Sequence, residues 1–167
     1  KIVWAEGYFW GRAVHHAFDA FWDDQKINGK GLQVYFEEMW SYVIGKFKDH
    51  PTVIGFDFFN EPFPGKSGGK AFRELIKKLV STTVFDGTIS KKKLVELATK
   101  SDDPARVLDL YTSKHLRKIT SAADDIIKTF DTKKYFPFIN KMTRAARRCG
   151  SDKFVFMENS YYSNLGI

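Results

Sequence analysis

The chain has 167 residues and a formal net charge of +7, and 16% of its residues are aromatic. This length is enough for one domain with a hydrophobic core, and the aromatic content argues against a disordered chain. No apolar run approaches the ~20 residues of a membrane span, and no signal peptide is recognisable in the sequence. The single cysteine, Cys149, excludes an internal disulfide and a metal site built from cysteines.

The excess of basic residues lies in the second part of the chain. Residues 1–65 carry 6 Lys and Arg against 9 Asp and Glu, whereas residues 66–167 carry 21 against 11. Such an asymmetry can indicate binding to nucleic acid or to an anionic membrane. The cations alternate with apolar residues at helical spacing, as in residues 75–79. This spacing favours a solvated helix face, and nucleic acid is not expected as a partner.

Apolar periodicity predicts two helices at the start of the chain. One covers residues 8–22, and a strongly amphipathic one covers residues 32–48. Between them, Asn28 and Gly29 mark a turn. Trp22 and Trp40 lie on the apolar stripes of these helices, so we expect both in the core.

Two short runs predict strands. Residues 53–59 have apolar residues at both odd and even positions and lie between prolines, and residues 154–157 repeat the pattern. Such runs are typical of strands that are covered on both faces, hence of a parallel sheet. The sequence therefore predicts an α/β fold.

About 90 residues separate the two predicted strands, more than a single crossover helix needs. Residues 66–69 are predicted to form a loop, and residues 71–149 read as almost entirely helical. The last helix is expected over residues 136–148, ending at Gly150. We therefore expect a large helical insertion between two parallel strands.

Both predicted strands end in a glutamate next to an asparagine. Asn60 and Glu61 close the first strand, and Glu158 follows the second. Active sites of parallel α/β folds form at the carboxyl ends of strands, where a partly desolvated carboxyl group suits a general acid. If the strand alternation continues, Glu61 shares a face with Asp57, and Pro62 is expected to hold Glu61 extended. The alternative is that Glu61 only caps the following loop.

Residues 53–65 closely resemble the strand-four signature of glycoside hydrolase family 5. The likeness is greatest to its endoglycoceramidase-related branch, in which an Asn-Glu-Pro-Phe-Pro-Gly run follows an Ile-Gly-x-Asp strand. Residues 17–22 and 47–51 are also similar to that branch, and residues 154–158 lie where strand five would be. The insertion matches no motif of the family.

The resemblance implies a retaining β-glycosidase on a (β/α)8 TIM barrel, of which this chain is a portion. Glu61 would be the general acid/base, and Asn60 would contact the 2-hydroxyl of the sugar. The nucleophilic glutamate would follow strand seven, outside this chain. The substrate-binding histidine of the family has no counterpart in its expected context, since His15 and His16 fall in a predicted helix and are interpreted as structural.

Further substrate contacts are expected around these two glutamates. Glu158 would form a polar wall of the sugar site or act as an electrostatic neighbour of Glu61, although a purely structural role stays open. Trp4 and Tyr161 are candidates for stacking on sugar rings, as are Trp10 and Tyr162. No metal or cofactor is expected, because the sequence has no metal-ligand cluster and no glycine-rich phosphate loop.

The implied organisation is one incomplete catalytic domain from the middle of a larger enzyme. Residues 1–65 would form a barrel segment with the acid/base strand, 66–152 the helical insertion plus a barrel helix, and 153–167 the next strand and loop. The remaining barrel segments would complete the site.

The implied reaction is hydrolysis of the β-glucosidic bond between a glycan and ceramide, with the basic insertion against a lipid surface. Two alternatives stay open. One is a cellulase-like endo-β-glucanase, and the other is a noncatalytic basic helical module that binds anionic lipid or nucleic acid.

Overall fold

The helices and strands of the chain come from a computed structural model, which describes residues 11–85, 90, 92, 113–160, 162 and 163. The helices are α1 (Arg12–Trp22), α2 (Leu32–Phe47), α3 (Lys66–Phe85), α4 (Ser113–Thr120), α5 (Asp124–Phe130), a π-helix (Asp131–Tyr135) and α6 (Phe136–Arg148). The strands are β1 (Lys26–Ile27), β2 (Lys30–Gly31), β3 (Gly55–Asp57) and β4 (Phe154–Phe156). Within these residues, no helix is long and apolar enough to cross a membrane.

The connection between α1 and α2 is a tight antiparallel hairpin of β1 and β2. Its two loop residues, Asn28 and Gly29, both have positive φ, at 52° and 80°. Two left-handed residues match the twist of a two-residue hairpin, and Asn and Gly are the residues that adopt this conformation most readily. The predicted turn is confirmed. Asp24 then accepts the N–H of Gln33 at 2.8 Å, which satisfies a free donor in the first turn of α2.

Strands β3 and β4 pair in parallel, with Gly55 opposite Phe154 and Asp57 opposite Phe156. The pairing agrees with the expectation from their apolar composition. Within the described residues one face of this pair is exposed, since Phe154 is 68% exposed and Phe156 is 44% exposed, so the expectation that both faces are covered stays a prediction. In the described part of the chain, helices pack on the face where Phe56 is buried in the aromatic core.

Helix α3 begins at Lys66, so the loop predicted for residues 66–69 is wrong. The N–H of Lys66 donates to Asp19 Oδ1 at 3.0 Å, which caps the new helix. Gly68 and Gly69 serve close packing instead of flexibility. A Cβ on Gly68 would lie 2.8 Å from Phe63 Cζ, and one on Gly69 would lie 2.8 Å from His15 Cε1.

We expect Gly68→Ala to lower the free energy of unfolding by about 1–3 kcal/mol, because its methyl group would collide with the buried ring of Phe63. The matched control is Gly45→Ala in α2, where a Cβ meets open space. This change should stabilise the protein by about 0.5–1 kcal/mol through helix propensity. Chemical denaturation of the complete protein measures both. Stabilisation by both substitutions would contradict the packing role of Gly68.

Among the residues that the structure describes, the core forms two clusters of buried side chains. The first is aromatic and joins α1, α2, β3 and α6 around Trp22, with Trp40 packed against it. The expected core positions of both tryptophans are therefore confirmed. The second lies between α3, α5 and the end of the described chain and includes Phe63, Leu75 and Tyr162. The described parts of residues 66–152 are largely helical, and α6 has the bounds predicted from the sequence.

Asp131 begins the π-helix and places a carboxylate oxygen, Oδ1, where it is buried without a hydrogen-bond partner. This burial raises the pKa of Asp131. The folded state therefore disfavours the ionised carboxylate, and the resulting loss of stability develops as pH rises from the ordinary value of 3.8 through the raised pKa.

We accordingly expect Asp131→Asn to raise the melting temperature at pH 7 and to give no gain near pH 3, where aspartate is already neutral. Thermal unfolding at both pH values measures the effect. Asp152→Asn, at an exposed position, is the control and should change little. An equal gain from Asp131→Asn at both pH values would show that the charge is not the cause.

Candidate active site

The candidate site lies at the carboxyl ends of the two parallel strands. Asp57 is the last residue of β3, Glu61 follows four residues later, and Glu158 lies two residues beyond β4. The backbone N–H of Glu61 donates to Glu158 Oε2 at 2.8 Å, across 97 positions of sequence. The structure thus brings together the two glutamates that the sequence predicted at neighbouring strand ends.

The backbone of Glu61 differs from the prediction. Its φ is +41°, in the left-handed region, whereas Pro62 was expected to hold it extended. Strand β3 ends at Asp57, so the alternation that would give Glu61 and Asp57 a common face does not continue. A proline mainly excludes the right-handed helical region for the residue before it. The left-handed region costs an L-residue about 1–2 kcal/mol, which the hydrogen bond to Glu158 helps to offset.

The loop after Glu61 is anchored to α1. Trp22 Nε1 donates to the carbonyl of Phe63 at 2.8 Å in a buried bond, and the His15 ring stacks on Phe63 with centroids 5.5 Å apart. Gly65 has φ +60° and lies so close to Asp19 that a Cβ would be 2.2 Å from its Oδ1. The structural interpretation of His15 is supported, and the loop has a defined position relative to the sheet.

Asp57 and Glu158 form a carboxyl pair beside Glu61. Partial desolvation raises the pKa of Asp57, and the hydrogen bond to the Glu158 side chain and the negative charge of Glu158 raise it further. The N–H of Phe59, which donates to Asp57 Oδ1 at 3.3 Å, acts in the opposite direction. Asp57 therefore retains its proton to a higher pH than an ordinary aspartate, and a bond between two carboxyl groups needs such a proton.

Tyr135 holds the end of β4 from the helical side. Its hydroxyl donates to the main-chain carbonyl of Glu158 at 2.6 Å, and its ring is buried. Burial raises the pKa of Tyr135, as do the nearby charges of Asp57 and Glu158. The hydroxyl therefore remains a hydrogen-bond donor throughout the pH range of ordinary enzymes.

The sequence paired Asp57 with Glu61 through strand alternation but gave Asp57 no role of its own, and it did not identify Tyr135. No motif pointed to Tyr135, whose position depends on the π-helix at residues 131–135. Asn60 is exposed next to Glu61.

The aromatic candidates have different outcomes. Trp4, Trp10 and Tyr161 lie outside the described residues, so their predicted contacts with sugar rings stay predictions. Tyr162 is fully buried, and its hydroxyl donates to the carbonyl of Gly68 at 2.7 Å. Its predicted place in the cleft is wrong, because its ring fills the second core cluster.

Carboxyl groups at this place could donate or accept protons. Glu61 lies on an anchored loop, and its backbone contacts the Glu158 side chain of the Asp57–Glu158 pair. In the part of the chain that the structure describes, no group of three or more His, Cys, Asp or Glu side chains could hold a metal ion.

Comparison with known proteins gives one partial similarity. A stretch of 65 residues is 37% identical to an endoglycoceramidase from Hydra vulgaris, covering 39% of this chain and 12% of that protein. The chain therefore aligns with only a small part of this relative. No family model matches the chain, and no solved structure matches it. The similarity supports a region related to glycosidases.

Proposed function

We propose that this chain carries the general acid/base of a glycosidase and that Glu61 is that residue. The observation that carries the proposal is the meeting of Glu61 and Glu158 at the carboxyl ends of two parallel strands. Parallel α/β enzymes place their reacting groups at this edge of the sheet. The partial similarity to an endoglycoceramidase supports the proposed reaction class, hydrolysis of a glycosidic bond.

The proposed mechanism has two steps with retention of configuration. A carboxylate outside this chain attacks the anomeric carbon while Glu61 protonates the departing glycosidic oxygen. Glu61, now ionised, then takes a proton from the water that releases the sugar from the enzyme. Asn60 donates a hydrogen bond to the sugar 2-hydroxyl next to the reacting carbon.

The proposed scaffold is a family 5 barrel of which β3 and β4 are two strands. The exposed apolar side chains Phe154 and Phe156, on one face of β4, support this proposal. Parallel strands are commonly covered on both faces, and further parts of a barrel would cover this one.

The proposed substrate is a glycan joined to ceramide through a β-glucosidic bond. The helices after β3 would then lie against a lipid surface, where basic residues are favourable. Comparing the complete gene product on ceramide-linked glycans and on β-glucan oligomers separates this substrate from that of a cellulase-like endoglucanase.

A noncatalytic basic module is less well supported by the contacts of the cations. Arg148 and Lys141 both pair with Glu37, the latter at 3.6 Å, and Lys134 pairs with Asp23. These cations are partly neutralised within the chain. Such a module also gives no role to the carboxyl groups at the strand ends.

The test is Glu61→Gln in the complete gene product. Glutamine keeps the size of the side chain and loses the transferable proton, so turnover of an alkyl β-glucoside should fall about 10²- to 10⁴-fold while the circular dichroism spectrum stays unchanged. Glu38→Gln, on the exposed face of α2, is the control and should keep its activity. Near-normal turnover by Glu61→Gln would overturn the proposal.

A further inference from the structure

We infer that Glu158 is a positioning residue whose side-chain carboxylate holds the backbone of Glu61 in its left-handed conformation and so aims the Glu61 carboxyl group. The inference rests on the proposed role of Glu61 as general acid/base. It differs from the sequence-based expectation, in which Glu158 contacts the substrate.

The conformation of Glu61 needs an external hold. In the part of the chain that the structure describes, three residues other than glycine have positive φ, namely Asp24, Asn28 and Glu61. Asp and Asn tolerate this region because their short side chains bond to the local backbone. Glutamate has no such advantage. The hydrogen bond from the Glu61 N–H to Glu158 Oε2, at 2.8 Å, supplies a partner from a distant part of the chain.

Glu158 is itself fixed from two directions. Its main-chain carbonyl accepts the Tyr135 hydroxyl at 2.6 Å, and its side chain lies close enough to Asp57 to raise the pKa of that residue. The parallel register of β3 and β4 sets the distance between the two strand ends. A side chain whose own position is determined by other groups can orient a reacting neighbour within the narrow limits that catalysis requires.

The surroundings of the Glu158 carboxylate also argue against sugar binding as its main role. One of its oxygens accepts the Glu61 N–H, and the Asp57 side chain lies beside the same carboxylate and interacts with it. A positioning role requires only an oxygen that accepts the Glu61 N–H, whereas a proton-transferring or charge-bearing role requires the carboxyl group itself. This difference makes the two roles separable by substitution.

The experiment compares Glu158→Gln with Glu158→Ala in the complete gene product, on an alkyl and on a dinitrophenyl β-glucoside. Glutamine keeps an acceptor oxygen for the Glu61 N–H and gives Asp57 an N–H donor. Alanine removes both. For Glu158→Ala we expect kcat/KM on the alkyl glucoside to fall about 100-fold, the loss typical of a misplaced reacting group.

The same variant should lose little kcat/KM on the dinitrophenyl glucoside, because dinitrophenolate leaves without a proton and does not need an aimed acid. Glu158→Gln should recover most of the activity that Glu158→Ala loses. If Glu158→Ala does not fold, Glu158→Gln and Tyr135→Phe test the inference instead. For Tyr135→Phe we expect a loss of kcat/KM that is smaller than the loss expected for Glu158→Ala and is confined to the alkyl glucoside.

Two results would overturn the inference. Equal losses on both substrates would show that Glu158 only maintains the folded fraction of the enzyme. If Glu158→Gln were as inactive on the alkyl glucoside as Glu61→Gln, the charge or proton of Glu158 would be shown to be required. In either case Glu61→Gln would still be inactive, whereas full activity of Glu61→Gln would refute the proposed function itself.

Discussion

Glu61→Ala is expected to lower kcat/KM for an alkyl β-glucoside about 10²- to 10⁴-fold in the complete enzyme, the range that general acid catalysis contributes. An alkoxide is a poor leaving group, so its departure requires the proton that Glu61 supplies. The loss corresponds to about 3–5 kcal/mol of transition-state stabilisation. Steady-state kinetics on a series of glucosides with different leaving groups measures it.

The leaving-group series also contains the control for this prediction. On a dinitrophenyl β-glucoside, kcat/KM of Glu61→Ala should stay near that of the unmodified enzyme, because the first step needs no proton. The value of kcat should still fall, since water attacks the glycosyl-enzyme without a general base. Equal losses of kcat/KM across the series would contradict a role for Glu61 as acid.

Trp22→Ala is expected to lower the free energy of unfolding by about 3–5 kcal/mol. The Trp22 side chain is 5% exposed and lies within 5.5 Å, between ring centroids, of Phe59, Phe130 and Phe138. Its removal would leave a cavity in the aromatic core and the carbonyl of Phe63 without its donor. Chemical denaturation of the complete protein measures the loss.

Two controls separate the contributions of Trp22. Trp22→Phe keeps an aromatic ring and removes the bond to the Phe63 carbonyl, so about 1–3 kcal/mol should be lost. Tyr42→Ala, at a side chain that is 68% exposed, should change stability by less than about 0.5 kcal/mol. If Trp22→Ala lost less stability than Trp22→Phe, the central place of the Trp22 ring in the core would be contradicted.

The parts of the fold that depend on local pattern were predictable from the sequence. The bounds of α6 follow from apolar periodicity and from Gly150, whose φ is +77°. Helix α2 and the hairpin turn at Asn28 were likewise predictable from the local sequence pattern. The parallel pairing of β3 with β4 followed from their continuous apolar runs, whereas the barrel stays a prediction.

Features that depend on distant contacts were not predictable. Gly68 and Gly69 suggest a loop in the sequence, but they lie in α3 because Phe63 and His15 occupy the space of their missing side chains. The left-handed backbone of Glu61 depends on Glu158, 97 residues away. Local rules, such as the effect of a following proline, do not include such a partner.

The candidate site shows the same division. Placing Glu61 and Glu158 on adjacent strands required only that each strand be recognised with its closing carboxylate. The contact of Tyr135 with Glu158 requires the π-helix, which has no counterpart in the apolar pattern. The predicted contacts of Trp4 and Tyr161 with a sugar stay predictions, since neither residue is described by the structure.

The most direct measurement of the central claim is trapping with azide in Glu61→Ala. Azide attacks the glycosyl-enzyme without a general base, so it should restore kcat on a dinitrophenyl β-glucoside and release the nucleophilic carboxylate and a glucosyl azide. Two displacements at the anomeric carbon predict the β-configuration for this product. Absence of any acceleration by azide, or an α-glucosyl azide, would contradict the assignment of Glu61 as the acid/base.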